Sequence, residues 1–238
     1  HMKSGRLGTL LVTRSQSPSK YGVAVIDERT GMVKHFVANP QTFMSDVVTA
    51  GVYVFSPSIF DKISGAAPSS MEKEVLPSLA AEGQLYSMRL DGYWMNIKKP
   101  PDFLMGNALY LEHLSTERPA MLATAEGIEG NVVMDETVQV GEGCLIGPDV
   151  AIGRGCVIED GVRLSHCILL EGARVCAHAV VLNSIVGWRA TVGEWTRVEG
   201  VSVLGEDVHL GPEIFVNGAL ILPHKKIDAQ VSEPQIIM

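Results

Sequence analysis

Four cysteines in the C-terminal half of the chain are the first side chains whose spacing can be tested against a known chemistry. Cys144, Cys156, Cys167 and Cys176 follow one another at intervals of 12, 11 and 9 residues, with no Cys-x-x-Cys pair. Structural zinc sites draw their ligands from pairs of much shorter spacing. We therefore predict that the cysteines pack in the interior and hold no metal.

Three histidines of the same region could act as general bases. A histidine beside a thioester can take the proton of an attacking nucleophile, as in the acyltransferases built from six-residue repeats. His166, His178 and His209 each fall at a side-chain position predicted to face solvent, and none has a companion motif. Acyl transfer is therefore a weaker alternative for this chain.

Composition excludes two further classes of function. The chain has 238 residues and a formal net charge of −8, and its 19 lysines and arginines are scattered, which argues against a nucleic-acid surface. No apolar run approaches the roughly 18 residues of a membrane span, and no signal-peptide pattern opens the sequence. We expect a cytoplasmic protein without a nucleic-acid or membrane partner.

A six-residue repeat from Val140 to Leu222 is the element that positions the cysteines and histidines. It reads VGEGCL IGPDVA IGRGCV IEDGVR and, later, VGWRAT VGEWTR VEGVSV LGEDVH. A period of six fits neither an α-helix nor a two-faced strand, but it fits a coil with three short flat sides. The repeat predicts a left-handed parallel β-helix with three hexads per turn; an antiparallel sandwich is the alternative.

The repeat also assigns each position a role. The first residue of each hexad should point inward and stack on its equivalent one turn away; these residues are Val140, Ile146, Ile152, Ile158 and Leu164. The residue four places later should fill the interior near a corner; these are Cys144, Val150, Cys156 and Val162.

The second position of the hexad and the length of the corners complete the prediction. Glycine at 141, 147, 153, 187, 193, 205 and 211 is expected to adopt a positive φ. The repeat shortens by one residue between Leu164 and Leu169 and between Val181 and Val186, which predicts two short corners. The tail after Leu222 loses the period and is expected to cap the last turn.

Two tryptophans lie outside the inward positions of the repeat. Trp188 and Trp195 would place large rings on the exterior of the β-helix. Such rings are candidates for a contact between subunits or for packing on the preceding domain. Simple surface coverage is an equal alternative.

The first 115 residues have an α/β pattern. Strands are predicted over residues 7–14, 21–27, 32–38, 47–56 and 84–90, and helices over 57–63, 69–83 and 100–115. The run 47–56 is expected to be a buried central strand, and 21–38 a hairpin. The last helix should bury a face made of Phe103, Leu104, Ala108 and Leu111. The predicted domains are 1–115, a linker at 116–130, and the β-helix at 131–238.

Several segments together resemble the mannose-1-phosphate guanylyltransferase (GDP-mannose pyrophosphorylase) family. They are PSKYGV, AGVYVF, EKEVLPSLA, GYWMNIKKPPDFLMGNALYL and the ending VNGALILPHK…EPQIIM, so the resemblance runs from Ser4 to Met238. It implies a Rossmann-like nucleotidyltransferase domain followed by the β-helix. It also implies an activity: GTP and mannose 1-phosphate are converted to GDP-mannose and pyrophosphate with Mg²⁺.

The resemblance further implies that the N-terminal, nucleotide-binding half of that domain is missing here. The family opens with a glycine-rich loop of the type G-x-G-T-R-L that cradles the triphosphate on backbone amides. No such loop occurs before Ser19, because SGRLGTLL runs directly into a strand. The chain thus resembles the second part of the catalytic domain plus a complete β-helix.

Five residues of this domain match the positions at which the family binds substrate. Tyr21 and Gly22 match the strand that brings a backbone amide to the sugar, and Gly51 matches the glycine of the Asn-Ala-Gly strand. Asn39 stands where a Glu-Lys-Pro motif has its lysine, and Thr49 stands where Asn is expected. These two positions have therefore lost the family's side chains.

The family's metal ligand is also replaced. The resemblance places an Asp in a W-x-D-I-G stretch as a ligand of Mg²⁺, whereas this chain has Trp94, Met95, Asn96, Ile97 and Lys98. Asn96 keeps an amide oxygen without the negative charge, and Lys98 adds a positive charge nearby. Magnesium affinity is expected to be weak.

These substitutions lead to two hypotheses. The chain is a family member that is itself inactive or severely impaired, or it is a non-catalytic regulatory or assembly subunit that oligomerises through the β-helix. Ile97-Lys98 is similar to the regulatory subunit, whereas the C-terminal ending is closer to the catalytic one. Both hypotheses imply at most weak binding of GDP-mannose or mannose 1-phosphate, and a homo-oligomer or a hetero-oligomer with a catalytic subunit.

Overall fold

The computed structural model describes residues 1–63, 65 and 68–238, which form two compact units, His1–Trp94 and Met95–Met238. The units divide ahead of the domain boundary predicted at residue 115. The reason is that the helix over residues 100–117 contacts the β-helix: Asn107 Nδ2 donates a hydrogen bond to the Asp149 carbonyl at 3.3 Å.

The first unit is built on one mixed sheet of five strands, β1 to β5. Their bounds are Gly8–Arg14, Gly22–Ile26, Val33–Ala38, Val47–Phe55 and Leu85–Arg89. The spatial order is β3-β2-β4-β1-β5, in which β1 and β5 are parallel and the other pairs antiparallel. The predicted hairpin forms from β2 and β3, and the run 47–56 is the central strand β4. The predicted α/β class of this region is confirmed.

Helical segments cover one face of this sheet. A 3₁₀ helix at Pro57–Lys62 follows β4, and a π-helical turn at Met71–Val75 leads into helix α1 at Leu76–Ala81. The Ser70 hydroxyl accepts a hydrogen bond from the Lys73 amide at 3.3 Å, as expected of an N-cap. Two short 3₁₀ turns lie at Met2–Ser4 and Pro18–Lys20.

Strand β4 is buried along only half of its length, so the prediction of a fully buried strand is wrong. Val47, Val48 and Thr49 are buried, whereas Val52 and Val54 are 53% and 48% exposed. The continuous apolar sequence of β4 predicts burial of both of its faces. Each face is buried only where another element packs against it. Among the described residues, helical segments pack against the face that carries Tyr53 and Phe55, which is opposite Val52 and Val54.

The second unit contains helix α2, Pro100–Glu117, a 3₁₀ turn at Pro119–Met121, and eighteen short strands, β6 to β23. Backbone amides of residues 98 and 99 donate to Asp102 Oδ2 at the start of α2. Leu111 and Leu114 are buried, but Phe103 is exposed, so the predicted apolar face was wrong at that residue. Among the helices of the described ranges, none is long and apolar enough to cross a bilayer.

The strands stack into three parallel sheets, one for each side of the coil. The first sheet holds β7 Gln139–Val140, β10 Val157–Ile158, β13 Arg174–Val175, β16 Thr191–Val192, β19 His209–Leu210 and β22 Lys226–Ile227. The second holds β8 Leu145–Ile146, β11 Arg163–Ser165, β14 Val180–Leu182, β17 Arg197–Glu199 and β20 Phe215–Asn217. The third holds β6 Val132–Met134, β9 Val150–Ile152, β12 Ile168–Leu169, β15 Ile185–Val186, β18 Val203–Leu204, β21 Leu220–Ile221 and β23 Ile236–Ile237. This coil of about six turns matches the left-handed parallel β-helix that the hexads predicted.

The interior follows the predicted positions with one exception. Ile146, Ile152, Ile158 and Leu164 are buried, as are all four residues predicted near the corners. Val140 was predicted to be buried but is 45% exposed. The difference arises because β7 is the first strand of its sheet, so no preceding turn covers Val140 on that side.

The glycines of the repeat are required for close packing between turns, and the predicted reason was wrong. Of the seven, all within the described range, only Gly147 has a positive φ. A Cβ at Gly205 would lie 2.7 Å from the Pro223 nitrogen, and one at Gly153 would lie 2.9 Å from the Glu171 nitrogen. The backbone of the next turn therefore occupies the space of a side chain.

Short corners occur at both predicted places and at a third. The inward residues Val216 and Ile221 are also five apart, which the sequence analysis missed. The tail continues the coil: Val231 bridges to Val216, and β23 pairs with β21. Pairing of the tail covers the edges of the preceding strands, so it acts as the predicted cap by adding strands.

Candidate functional site

The open end of the β2–β3 hairpin brings two of the predicted site residues together. The Tyr21 amide donates to the Pro18 carbonyl, and the Tyr21 carbonyl accepts from the Asn39 amide at 3.2 Å. Asn39 has a φ of 48°, a left-handed conformation that asparagine tolerates better than most residues. The backbone bonds of this hairpin therefore hold Tyr21 and Asn39 in place.

Gly22 lies where β2 passes the side chains of its neighbours. A Cβ at this position would lie 2.5 Å from the Phe36 ring and 3.1 Å from the Thr49 methyl group. Only glycine lets these two side chains approach the strand so closely. The backbone of Gly22 is thus packed directly against Thr49.

Gly51 marks an irregularity in β4 beside the same site. The pairing register between β1 and β4 shifts between Leu10 and Val12, and Gly51, with a φ of 79°, lies at that shift. The Gly51 amide donates to Thr49 Oγ1 at 3.1 Å. The Thr49 hydroxyl, 95% buried with its residue, is therefore already engaged with the backbone.

Trp94 closes this group of residues, although the sequence analysis assigned it no role. Its indole Nε1 donates to the Ala50 carbonyl at 3.1 Å, and its ring meets Tyr21 edge-on at 5.3 Å between centroids. Tyr21, Thr49, Gly51 and Trp94 therefore converge on one side of β4. The quoted segment GYWMN was the only sequence signal for this tryptophan.

A second polar pair extends from the same strand. The Tyr53 hydroxyl donates to Glu72 Oε1 at 3.1 Å. Burial raises the pKa of Tyr53, a hydrogen bond from Thr49 opposes that shift, and the charge of Glu72 adds to it. The π-helical turn thus places the Glu72 carboxylate beside the Tyr53 hydroxyl of β4.

A cavity of about 290 Å³ opens at the carboxyl ends of the parallel strands β1 and β5. Its polar lining comes from Thr13, Arg14, Arg89 and Asp91. Ligands of α/β sheets often bind at this end of parallel strands. Both guanidinium groups are paired, Arg14 with Asp46 at 2.8 Å and Arg89 with Glu28.

Asn96 belongs to the second unit and lies on the segment that leads into α2, where it is partly buried. Its donor set does not fit Mg²⁺, since it offers one neutral amide oxygen with the exposed Lys98 two residues away. Within residues 1–63, 65 and 68–238, no group of three or more His, Cys, Asp or Glu is arranged to hold a metal.

The histidines of the β-helix face solvent as predicted, and the cysteines lie in the interior as predicted, except for Cys176, which is only partly buried. His166, His178 and His209 are exposed at the surface. His209 Nε2 lies 3.2 Å from Asp207 Oδ1, and His166 Nε2 lies 3.6 Å from Asp149 Oδ2. All four cysteines are free thiols, three of them buried, and burial raises the pKa of Cys167 to about 12.

The two tryptophans of the β-helix are exposed, as expected from their positions outside the inward sites. Trp195 stacks on His178 with 4.3 Å between ring centroids, and a Cβ on Gly161 would in turn meet the His178 ring. The side chains at this corner therefore form a ladder along the coil. Trp188 is exposed at a neighbouring corner.

These observations define the class of protein. Residues 1–113 match the nucleotidyl transferase family, and residues 128–237 match the GMPPB C-terminal domain. The chain is therefore a nucleotidyltransferase-type α/β unit joined to a parallel β-helix.

Full-length comparisons identify the family. Over all 238 residues, the chain is 48% identical to mannose-1-phosphate guanylyltransferase 1 of Arabidopsis thaliana, covering 66% of that protein. It is 48% identical to probable mannose-1-phosphate guanylyltransferase 3 of Oryza sativa subsp. japonica, again covering 66%. It is 50% identical to mannose-1-phosphate guanylyltransferase catalytic subunit beta of Drosophila pseudoobscura pseudoobscura, covering 64%.

The chain belongs to the mannose-1-phosphate guanylyltransferase family, which confirms the resemblance seen in the sequence. It spans about two thirds of the length of these curated relatives.

Proposed function

We propose that this chain is a family member whose own conversion of GTP and mannose 1-phosphate to GDP-mannose and pyrophosphate is absent or severely impaired. The observation that carries the proposal is the state of Thr49. This residue stands where the family resemblance has Asn, and its buried hydroxyl accepts the Gly51 amide hydrogen. The Thr49 hydroxyl keeps one O–H donor and one further acceptor position, but it is buried, and it lacks the separate amide N–H and C=O groups with which Asn could bind a sugar hydroxyl.

The remaining site residues support weak binding of the sugar phosphate. Tyr21, Gly22 and Gly51 lie on or beside strands β2 and β4, at the positions where the resemblance places the family's substrate-binding strands, whereas Asn39 lacks the ammonium group that would bind phosphate. Electrostatic contacts supply most of the acceleration of transfer at phosphorus. We expect GDP-mannose and mannose 1-phosphate to bind weakly.

Magnesium would supply charge neutralisation of the phosphates when bound, and it is used generally in nucleotidyl transferases. We propose that Asn96 binds it poorly, because an amide oxygen lacks the charge of a carboxylate.

We also propose a domain assignment for the chain. Residues 1–115 form the C-terminal part of the nucleotidyltransferase domain, residues 116–130 form a linker, and residues 131–238 form the β-helix.

Turnover is measured directly by release of pyrophosphate from GTP, mannose 1-phosphate and MgCl₂. The purified chain is compared with the full-length Arabidopsis thaliana relative at equal concentration. We expect a rate lower by about a thousandfold or more, which is the scale of losing charged transition-state contacts. A rate within about tenfold of the relative would contradict the proposal.

A regulatory or assembly role is the second candidate, and the continuous core of the β-helix favours it. The coil runs through about six turns with a continuous buried interior, and it exposes Trp188 and Trp195 on its surface. The Drosophila melanogaster relative is named a catalytic subunit, which indicates that it works with another subunit. We propose that the β-helix mediates a homo-oligomer or a hetero-oligomer with a catalytic subunit.

Size-exclusion chromatography with light scattering tests this role, with the chain alone and mixed with the Drosophila melanogaster catalytic subunit beta. The proposal expects a species larger than either monomer. Trp195→Ala should reduce that species if the ladder forms the interface, and Trp188→Ala serves as the matched control at the neighbouring corner. Strictly monomeric chains in both samples would exclude the role.

A further inference from the structure

One corner of the β-helix brings a serine hydroxyl, an imidazole and a carboxylate into a row. Ser165 Oγ lies 2.7 Å from His166 Nδ1, and His166 Nε2 lies 3.6 Å from Asp149 Oδ2. Ser165 and His166 are adjacent in the sequence, whereas Asp149 comes from the preceding turn of the coil. A hydroxyl beside an imidazole that is itself oriented by a carboxylate is the arrangement of an activated nucleophile.

The carboxylate decides which nitrogen of the imidazole carries the proton. Asp149 Oδ2 favours the tautomer with the proton on Nε2, because an N–H group that faces a carboxylate is stabilised. Nδ1 is then an acceptor, and the Ser165 hydroxyl is its donor. The lone pair of His166 that can take the hydroxyl proton is therefore already directed at that proton.

The backbone of the coil holds the three residues in place. Ser165 is the last residue of strand β11, which pairs with β14. The His166 amide donates to the Pro148 carbonyl at 2.8 Å, and the Asp149 carbonyl accepts from Asn107 Nδ2 at 3.3 Å. A site built on such fixed elements needs little ordering before it reacts.

The serine hydroxyl lies on the outer surface of the coil. Leu164 is buried in the interior, and side chains alternate along a strand, so Ser165 points outward. Its partner in the parallel register is Leu182, which is partly buried on the same outer face. The His166 side chain is 48% exposed. An apolar side chain beside a solvent-accessible nucleophile fits a small ester with a short acyl group.

We propose that Ser165 takes the acyl group of small activated carboxylic esters and passes it to water, with His166 as the base and Asp149 as its positioning residue. None of the three residues belongs to the candidate nucleotidyltransferase site. The inference therefore stands apart from the proposed function.

The reaction has two steps, in which His166 Nδ1 carries the proton. In the first, Ser165 Oγ bonds to the ester carbonyl carbon and gives its proton to Nδ1. The bond from that carbon to the alcohol oxygen breaks, and the alcohol leaves with the proton. In the second, water gives one proton to Nδ1 and its oxygen to the carbonyl carbon. The bond to Ser165 Oγ breaks, Oγ takes the proton back, and the carboxylic acid leaves.

A second histidine of the coil provides a matched control. His209 Nε2 lies 3.2 Å from Asp207 Oδ1, and His209 is exposed like His166. Its neighbours in the sequence are Val208 and Leu210, and in the described part of the chain no serine hydroxyl contacts its ring. His209 therefore reports the reactivity of an exposed imidazole that has a carboxylate but no nucleophile beside it.

The test incubates the full 238-residue chain with p-nitrophenyl acetate. Peptide mass spectrometry locates the acetyl groups, and release of p-nitrophenolate gives the rate. We expect acetylation of Ser165. His166→Gln should slow it at least about a hundredfold, the lower end of what a general base contributes. Asp149→Asn should also slow it, Asp149→Glu should restore part of the rate, and His209→Gln should leave both readouts unchanged.

Ser165→Ala shows whether the serine or the exposed imidazole is the reacting group. This variant should release p-nitrophenolate more slowly than the unaltered chain, and circular dichroism checks that each variant is folded. The inference is overturned if acetyl groups are found only on lysines, if Ser165→Ala releases p-nitrophenolate as fast as the unaltered chain, or if folded His166→Gln is acetylated at Ser165 at the same rate.

Discussion

The two units of this chain bury their cores in different ways. In the β-helix, each inner strand is only two or three residues long, but it has a parallel neighbour on both sides and stacks its inward side chain on the turns before and after. In the first unit, the longest strand, β4, has β1 beside it over its whole length but has β2 on its other side at the single position Val23↔Val48, and Val52 and Val54 in its second half are exposed. Repetition makes the β-helix self-sufficient, whereas the open sheet depends on what covers β4.

The largest difference in stability between the two units is expected when a charged residue is introduced into each. Val181 is fully buried in the middle of the coil, whereas Val54 is half exposed on β4. Val181→Asp should destabilise the β-helix by about 4 kcal/mol or more, because the carboxylate has no partner there. Val54→Asp should change stability by less than about 0.5 kcal/mol. Urea unfolding of both variants measures the contrast, and equal losses would contradict it.

Thiol reactivity tests whether the coil stays closed. Burial raises the pKa of Cys167 to about 12 and also raises the pKa of the partly buried Cys176. At pH 8 the native Cys167 should react with iodoacetamide about a thousandfold more slowly than a free thiol, and Cys176 should react first. Mass spectrometry of labelled peptides gives the order. Rapid labelling of Cys167 would show that the coil opens.

The raised pKa of Cys167 also fixes the sign of a pH effect. The folded state holds the neutral thiol, while the unfolded chain ionises near its ordinary value of about 8.5. The stabilisation is therefore complete below that pH and is lost progressively as pH rises toward 12. The Cys167→Ala variant should lack this part of the alkaline dependence in thermal unfolding. If Cys167→Ala and the unaltered chain lose the same stability between about pH 8.5 and pH 12, the buried Cys167 thiol is not the source of this pH dependence.

Glycine substitutions distinguish crowding from backbone conformation. Gly205→Ala should cost about 1–3 kcal/mol because the backbone of the next turn occupies the site. Gly51→Ala has open space around its Cβ, so its cost of about 1–2 kcal/mol comes from the positive φ alone. Gly51→Asn should recover part of the second loss. The same replacement at Gly205 should be worse than alanine.

The aromatic ladder should contribute least. Trp195→Ala removes the stack on His178 and should cost about 0.5–1.5 kcal/mol. Trp188→Ala, at an exposed corner with no ring contact among those found in the described residues, should cost less. Thermal unfolding compares the two. A larger loss at Trp188 would indicate that the ladder does not stabilise the coil.

The β-helix was predictable because its contacts repeat at a fixed spacing. Ile146, Ile152 and Ile158 each meet the residue one turn away, so the hexad alone places them. The exposure of Val140 was not predicted, because the repeat does not show where the first strand of a sheet lacks a neighbour. The third short corner, after Val216, was not predicted, because a single five-residue spacing changes a six-residue period very little. The repeat located the glycines correctly, but glycine is needed there because the backbone of the next turn lies too close for a side chain.

The candidate site was less accessible to sequence reasoning. Tyr53 meets Glu72 across nineteen residues, and Trp94 meets Tyr21 across more than seventy, with no periodic signal for either contact. Family resemblance supplied Tyr21, Gly22, Asn39, Thr49, Gly51 and Asn96 as candidate positions. The engagement of the Thr49 hydroxyl by Gly51 depends on a register shift that only the folded strand reveals.

Residue-resolved hydrogen exchange of the free chain tests the contrast between a closed coil and an open sheet most directly. Amides of the central coil strands, such as those of Val175 and Val192, should exchange slowest, and the paired Val54 amide should be protected. Among the described residues, no strand lies beside Tyr53 and Phe55 on the side of β4 that faces away from β1. The amides of Tyr53 and Phe55 point to that side and should exchange much faster than the Val54 amide. Protection of Tyr53 and Phe55 equal to that of Val54 would contradict the open edge of β4.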